Sequence, residues 1–317
     1  MSPRLVVLTV NYCCADAILE GMDETVRQIR AQGDAAFWIV DNMSPDDSLA
    51  TLRDAVAARG FEDVVTIIAS PKNAGFGAGN NVGFDAGLNS ETPPEYFYCL
   101  NPDAVPDDGA IATFVDFMDA HPDAGMAGGR INNEFGVPEA SVFRFPSFAS
   151  EVEKAISLGV LRKLLRNSVV PMEMPDTIQK VDWVSGASFI IRASVLKQTG
   201  GFDETFFLYW EEVELCHRIT KAGFGVYAVP EAGVVHTGGV STGMGDAEKR
   251  IPRYWFESRN YLLSKTGLTK SLVLLNACVA LGWVVQRTHH KLRGKSLHSP
   301  HFLKDFIRFF TAKPTAR

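Results

Sequence analysis

The sequence has no Cys-x-x-Cys pair, no internal repeat, no low-complexity tract, no excess of positive charge and no apolar run of membrane-spanning length. Five cysteines are an odd number without zinc-type spacing, which argues against a disulfide framework and fits a reducing compartment. The adjacent Cys13 and Cys14 read as small residues near a strand end. With 31 Lys and Arg against 37 Asp and Glu, the net charge of −6 offers no overall basic footprint for nucleic acid. The N-terminal apolar run, Leu5–Val10, is too short for a signal-peptide core and reads as a first strand. What is present, 317 residues with 46% hydrophobic and 21% charged, is ordinary for globular protein and allows one large domain or two smaller ones.

The first hundred residues alternate between two periodicities. Unbroken apolar runs at 5–10, 37–40, 64–69 and 96–100 predict buried strands. Helical spacing at 15–31 (Ile18, Leu19, Met22, Val26, Ile29), 48–58 and 79–89 predicts the helices between them. This alternation implies βαβ crossovers and a mostly parallel sheet covered on both faces. Ligands on such sheets sit at the carboxyl ends of the strands. Here those ends carry Asn11, Asp41-Asn42, Ser70–Asn73 and Asn101–Asp103. Further on, 151–166 predicts an amphipathic helix, 181–184 and 188–191 strands, 210–221 a helix, and 226–229 and 234–236 strands. The Gly-rich stretch 237–250 predicts a loop, with Lys249, Arg250 and Arg253 nearby as a lid over an anion.

Several polar clusters carry chemistry. A carboxylate at Asp41, after the second strand, suits a ribose hydroxyl or base N–H; an Asx turn, with Ser44 or Asp47 capping the next helix, accounts for it equally well. Lys72–Gly83 places glycines at 75, 77, 79 and 83. This is neither a dinucleotide fingerprint nor a phosphate loop, but it lets backbone approach an anion, or simply packs a helix closely on the sheet. Asp103, held by Pro102 at a strand end, suits a hard cation bridging a diphosphate, and His236, closing a late strand, suits a second ligand. At 100° per residue Glu211, Glu214 and Arg218 share one helical face and read as a surface ion-pair ladder. Glu212 lies instead beside Cys216 and Ile219, after the aromatic run Phe206–Trp210. A carboxylate desolvated in this way is what a general base for a sugar hydroxyl needs.

From Arg287 onward the chain carries a net +7, leaving −13 for the residues before it. Ser271–Gln286 is nearly uncharged but shorter than the ~20 residues of a spanning helix, and it contains Asn276. With Phe302, Phe306, Ile307, Phe309 and Phe310 among the basic residues, this end reads as an interfacial anchor; packing on its own domain is the other reading.

The ordered series Asn11-Tyr12, Asp41-Asn-Met-Ser44, Asn73-Ala-Gly-Phe-Gly-Ala-Gly-Asn80, Leu100-Asn-Pro-Asp103, Gly200-Gly-Phe-Asp203, Glu211–Arg218 and His236 resembles the family-2 glycosyltransferases of the GT-A fold, and within them the bacterial rhamnosyltransferase-like branch. The resemblance implies a GT-A domain over 1–265, a helical extension over 266–317, and an inverting transfer from a nucleoside-diphosphate sugar, L-rhamnose by the branch, to a saccharide or lipid-linked acceptor. It implies a donor site drawn from Asn11, Asp41, Asn42, Lys72, Asn73, Gly75, Asn80, Asn101 and Arg218, with Mg²⁺ or Mn²⁺ on Asp103 and His236. The catalytic base would be Glu212. The family's Glu-Asp pair is Glu-Glu here and Glu214 stands where Asp is usual; the extra methylene moves a carboxylate by about 1.5 Å, enough to matter where ~1 Å can cost ~100-fold, so the base is either Glu212 or Glu211. The third residue of the usual Asn-Tyr-Asn opening is Cys13. A cytoplasmic location, peripheral at the inner face of the cell membrane, follows, with homo-oligomerisation left open. The competing readings are a sugar nucleotidyltransferase, which would want a basic glycine loop where Asn11–Asp16 stands, and a non-catalytic nucleotide-sugar-binding or scaffold protein at a membrane surface.

Overall fold

The computed structural model describes residues 3–238, 250–293 and 301–314. Residues 239–249, most of the expected Gly-rich lid and its Lys249, lie outside the described residues. The chain runs β1 (Leu5–Asn11), α1 (Ala15–Gln32), β2 (Ala35–Asp41), α2 (Ser48–Arg59), β3 (Val65–Ala69), α3 (Phe76–Leu88) and β4 (Tyr96–Leu100). Then follow β5 (Ala104–Pro106), α4 (Ala110–Ala120), β6 (Ala124–Asn132), β7 (Pro138–Glu139), β8 (Val142–Phe143), α5 (Phe148–Ile156), α6 (Gly159–Leu164), β9 (Pro171–Met172), β10 (Gln179–Val181), β11 (Trp183–Val184) and β12 (Ser188–Arg192). The described elements end with α7 (Ala193–Thr199), α8 (Glu211–Lys221), β13 (Gly225–His236), α9 (Arg253–Lys265), α10 (Leu272–Leu292) and α11 (Phe302–Arg308).

The main sheet has the order β10-β13-β6-β12-β4-β1-β2-β3, with β5 beside β13 and β7 beside β6; β11, β8 and β9 form a small second sheet. All seven residues of β1 are buried, which is why its apolar run does not alternate. The half β4-β1-β2-β3 is parallel, as the alternation of strand and helix requires. The sheet as a whole is mixed, because β12 runs antiparallel to both β4 and β6. One apolar cluster covers the α1, α2 and α4 face, and a second lies on the α3, α7 and α8 face.

Three local expectations change. The helix predicted over 151–166 is broken at Ser157, which takes a left-handed φ of 49°, so α5 and α6 are separate. The strands expected at 226–229 and 234–236 are one strand, β13, with an irregularity between Val229 and Val234. Helix α3 starts three residues before the expected 79, at Phe76. Its packing is close: a Cβ on Gly83 would lie 2.4 Å from Leu8.

The C-terminal helices form a third cluster with α5 and α9. Phe302, Phe306 and Phe309 turn inward around Phe256, and Phe302 stacks on Trp283 at 4.2 Å. Asn276, an outlier in an apolar helix, is fully buried and explained by a polar network. Arg259 Nε donates to Glu151 at 2.7 Å, Arg259 also donates to Asn276 Oδ1 at 2.8 Å, and Asn276 Nδ2 donates to the Phe310 carbonyl at 2.6 Å. Glu151 and Arg259 are both buried, so removing one leaves the other uncompensated. Arg259→Ala is expected to lower unfolding stability by about 3–5 kcal/mol in a urea titration followed by circular dichroism. Removing the exposed Arg27 partner of Glu24 is expected to leave the midpoint essentially unchanged.

Candidate active site

Parallel register places Asn11 opposite Asp41, and β4 ends on the same edge at Leu100, with Asn101 next in the chain. β13 reaches that edge from the other half of the sheet. Its pairing with β5 sets His236 opposite Ala104, directly beside Asp103. The result is an Asp103 Oδ1–His236 Nε2 separation of 3.1 Å, with Asn101 Nδ2 3.3 Å from the same imidazole nitrogen. These groups line a cavity of about 450 Å³ together with Asn42, Asn73, Gly75, Glu211 and Glu212. Gly75 has a φ of 100°, and a Cβ there would lie 1.7 Å from the Phe207 carbonyl oxygen, so only glycine fits.

Other expected site residues do not line this cavity. Asn11 and Asp41 are buried behind it: Asn11 Nδ2 donates to Asp41 Oδ1 at 2.7 Å, and the Ser44 amide donates to Asp41 Oδ2 at 3.2 Å. Asp41 thus holds the turn that the sequence allowed as its alternative, but the helix cap expected with it is absent: Asp47, at the N-cap of α2, makes no side-chain capping bond. Asn80 donates to the Phe76 carbonyl inside α3. Lys72 lies on a separate cavity, 3.8 Å from Glu204. Arg218 is a correction, since its guanidinium is taken up by Glu214 at 2.7 Å and by the carbonyls of Thr199, Gly200 and Gly201.

The surface ladder is corrected with it. Glu211 and Glu214 are both buried, because the Gly200–Asp203 turn and α9 cover that face of α8. Glu214 is clamped by Arg218 and by Lys265 Nζ at 2.8 Å. Lys265 also reaches Asp203. Burial would raise that carboxyl, but Lys265, the Thr205 amide and the Tyr261 hydroxyl hold it down at about 2. The Gly-Gly-Phe-Asp segment and Arg218 therefore fix α8 in place.

At the N-terminus of α8, Tyr209 and Trp210 take consecutive left-handed φ values of 67° and 75°. For bulky side chains this conformation costs about 1–3 kcal/mol each. Cys13 and Met43, just past the ends of β1 and β2, are also left-handed, so four of the five such non-glycine residues among the described residues surround this edge. The strained turn delivers the two carboxylates. Glu211 is buried and its Oε2 has no hydrogen-bond partner among the described residues; Asn42 Oδ1, also on the cavity, is similarly orphaned. Burial raises the Glu211 carboxyl well above its usual range, and the neighbouring Glu212 charge adds to this. Burial pushes Glu212 up to about 7.

Glu212 and Tyr209 also line a second cavity of about 410 Å³, on the other side of the strained turn. Sequence reasoning missed that cavity and missed Tyr209, Tyr254 and Ser185–Ala187 on the first. The aromatic run before α8 was the one available signal.

Residues 5–176 match the profile of Glycosyl transferase family 2, and the chain belongs to that family. It is 30% identical over 187 residues to the N-acetylglucosaminyl-diphospho-decaprenol L-rhamnosyltransferase of Mycobacterium tuberculosis, a match that covers 56% of this chain and 61% of the relative. It is 25% identical over 300 residues to a low-salt glycan biosynthesis hexosyltransferase of Haloferax volcanii, covering 90% of this chain and 85% of that one. Among solved structures, a mannosyltransferase of Pyrobaculum calidifontis in complex with GDP-Man and Mn²⁺ superposes with a TM-score of 0.57 at 15% identity, covering 99% of this chain and 82% of that one. The likeness shows the GT-A fold.

The raised carboxyls have a stability signature. Glu212 binds its proton more tightly folded, at about 7, than at the ordinary 4.5 of an unfolded chain. Its contribution is fully present below pH 4.5 and is lost as pH rises through 7. Glu212→Gln is therefore expected to raise Tm relative to the parent chain at pH 8 and to gain little at pH 4.5, as read by differential scanning fluorimetry across pH.

Proposed function

We propose that the chain is an inverting glycosyltransferase that moves a hexose, L-rhamnose by likeness to its relatives, from a nucleoside-diphosphate sugar to a lipid-linked saccharide. The observation that carries this reading is the position of Glu212 between two cavities, one bearing the strand-end polar groups and the other walled by aromatic rings. The donor belongs in the first. The acceptor hydroxyl, entering from the second, gives its proton to a Glu212 oxygen as its own oxygen bonds the anomeric carbon. The bond from that carbon to the diphosphate breaks on the opposite face, its electron pair leaves with the diphosphate, and configuration inverts. Glu211, which lines only the donor cavity, is assigned to positioning and Glu212 to the base; a base near 7 is matched to neutral pH.

Asp103 and His236 offer one carboxylate and one imidazole, both largely buried and facing the donor cavity, and together they would hold a divalent cation there. When bound, Mg²⁺ or Mn²⁺ supplies charge neutralisation to the departing diphosphate. The GDP-Man and Mn²⁺ of the Pyrobaculum neighbour, and the diphospho-decaprenol acceptor in the mycobacterial relative's name, support the donor, cation and acceptor classes.

No helix among the described residues is long and apolar enough to cross a membrane. α10 nonetheless exposes Val273, Leu274, Leu281, Val284, Val285 and Leu292, which fall within a 120° arc at 100° per residue, and ends in Arg287, Lys291 and Arg293. Such a stripe suits peripheral contact with an anionic membrane surface, where a lipid-linked acceptor lies.

Transfer by Glu212→Gln is expected to fall by roughly 10²–10⁴-fold in kcat with donor affinity retained, and kcat/KM of the parent chain to rise as pH passes about 7. Full turnover by Glu212→Gln would remove the base assignment, and binding of nucleotide sugar without turnover by the parent chain would favour the scaffold reading. In a second assay, Leu274→Glu/Leu281→Glu/Val285→Glu is expected to stay in the supernatant when anionic vesicles are sedimented, while the parent chain pellets with them.

A further inference from the structure

The second cavity has a composition unlike the first. Its wall includes Phe143 and Trp183 stacked at 3.9 Å with their planes 9° apart, and it is continued by Trp210 and Trp255, which meet edge to face at 5.6 Å. Flat aromatic faces of this kind hold the C–H face of a sugar ring. Glu153 also lines the cavity; it is 7% exposed, and its side chain has no hydrogen-bond or ion-pair partner among the described residues. A carboxylate at the cavity wall with no protein donor can accept from sugar hydroxyls or an acetamido N–H. Two cations, Lys154 and Arg162, stand on the same cavity, both exposed and both without a carboxylate partner among the described residues. They come from α5 and α6, the two pieces into which the left-handed Ser157 divides the segment. The other face of α5 packs on α10, where a Cβ on Gly282 would meet Ala155 at 2.9 Å. The cavity and the helix that carries the exposed apolar stripe therefore lie on opposite faces of α5.

We propose that this cavity is the acceptor site and that it selects a sugar bearing phosphate at its reducing end. The ring lies on the Trp183 and Trp210 wall, a hydroxyl or amide hydrogen reaches Glu153, and the accepting hydroxyl reaches Glu212 at the junction. Lys154 and Arg162 meet the phosphate. This assignment rests on the transferase reading and adds to it the chemistry that recognises the acceptor.

Three of the chain's five tryptophans line the cavity, so intrinsic fluorescence reports its occupancy. The full chain and its Lys154→Ala/Arg162→Ala variant are titrated with farnesyl-diphospho-N-acetylglucosamine, N-acetylglucosamine 1-phosphate, octyl N-acetylglucosaminide and dTDP. The expected result is quenching by the first two, with Kd weakened at least about tenfold in the variant. The octyl glycoside and dTDP are expected to move by less than about twofold. Tighter binding of the farnesyl compound than of the free phosphate assigns the lipid-linked form; equal binding assigns the soluble sugar phosphate, and either supports the site. An unchanged Kd for both phosphorylated probes, or an equal loss for the octyl glycoside, would overturn the proposal. Glycosyl phosphate binding with the expected variant loss, in a chain that neither binds dTDP nor turns over nucleotide sugar, would uphold this cavity and defeat the transferase reading. The converse result, dTDP binding without glycosyl phosphate binding, would uphold a donor site and defeat this proposal.

Discussion

Two consecutive aromatic residues in the left-handed region, Tyr209 and Trp210, determine where the carboxylates of Glu211 and Glu212 lie. Such a turn does not persist unless its surroundings over-determine it. Here the following helix is held by a buried carboxylate, Glu214, gripped by Arg218 and Lys265, while Arg218 also ties down the three carbonyls of 199–201. The same clamp removes one face of the helix from solvent, so the first glutamate of the pair is buried and the second reaches the boundary between two cavities. Local strain, like charges side by side and raised carboxyl affinities all disfavour the folded chain. They coincide at one turn, where the proposed transfer requires a base that faces both donor and acceptor.

The other half of the site depends on sheet register. Asp103 follows β4, and His236 ends β13, which lies three places away in the sheet order. The short β5 closes that distance by pairing with β13 immediately after Asp103. A one-residue slip in that pairing would turn His236 to the opposite face and separate the two groups. The irregularity in β13 before Val234 is where the strand adjusts its register on β6 to make this meeting possible.

How much of this was legible in the sequence varied with its physical origin. Strands buried on both faces write themselves as continuous apolar runs, so β1 through β4 and the helices between them could be read, and with them the polar edge. β6, Ala-Gly-Met-Ala-Gly-Gly-Arg-Ile-Asn, could not: its small residues carry no strand preference, and its state comes from neighbours β12 and β13. The break at Ser157 is invisible to periodicity, which continues across it. The helical wheel placed Glu211, Glu214 and Arg218 on one face, as they are, but not the α9 and Gly-Gly-Phe-Asp cover that buries the face. Asp41 and Asn11 stood at the right strand end, yet their side chains are occupied with each other. The second cavity draws Glu153, Trp183, Trp210 and Trp255 from four elements with no shared motif, and only the folded chain assembles it.

The proposed transfer is a single displacement, with one carboxylate between donor and acceptor and no covalent intermediate. The anomeric configuration of the product, read by proton NMR from the first turnovers with a donor of known configuration, tests this most directly. The account predicts product of inverted configuration throughout. Retention would contradict it, because it would require either a protein nucleophile on the face opposite the diphosphate or front-face return, and with it a different role for Glu212.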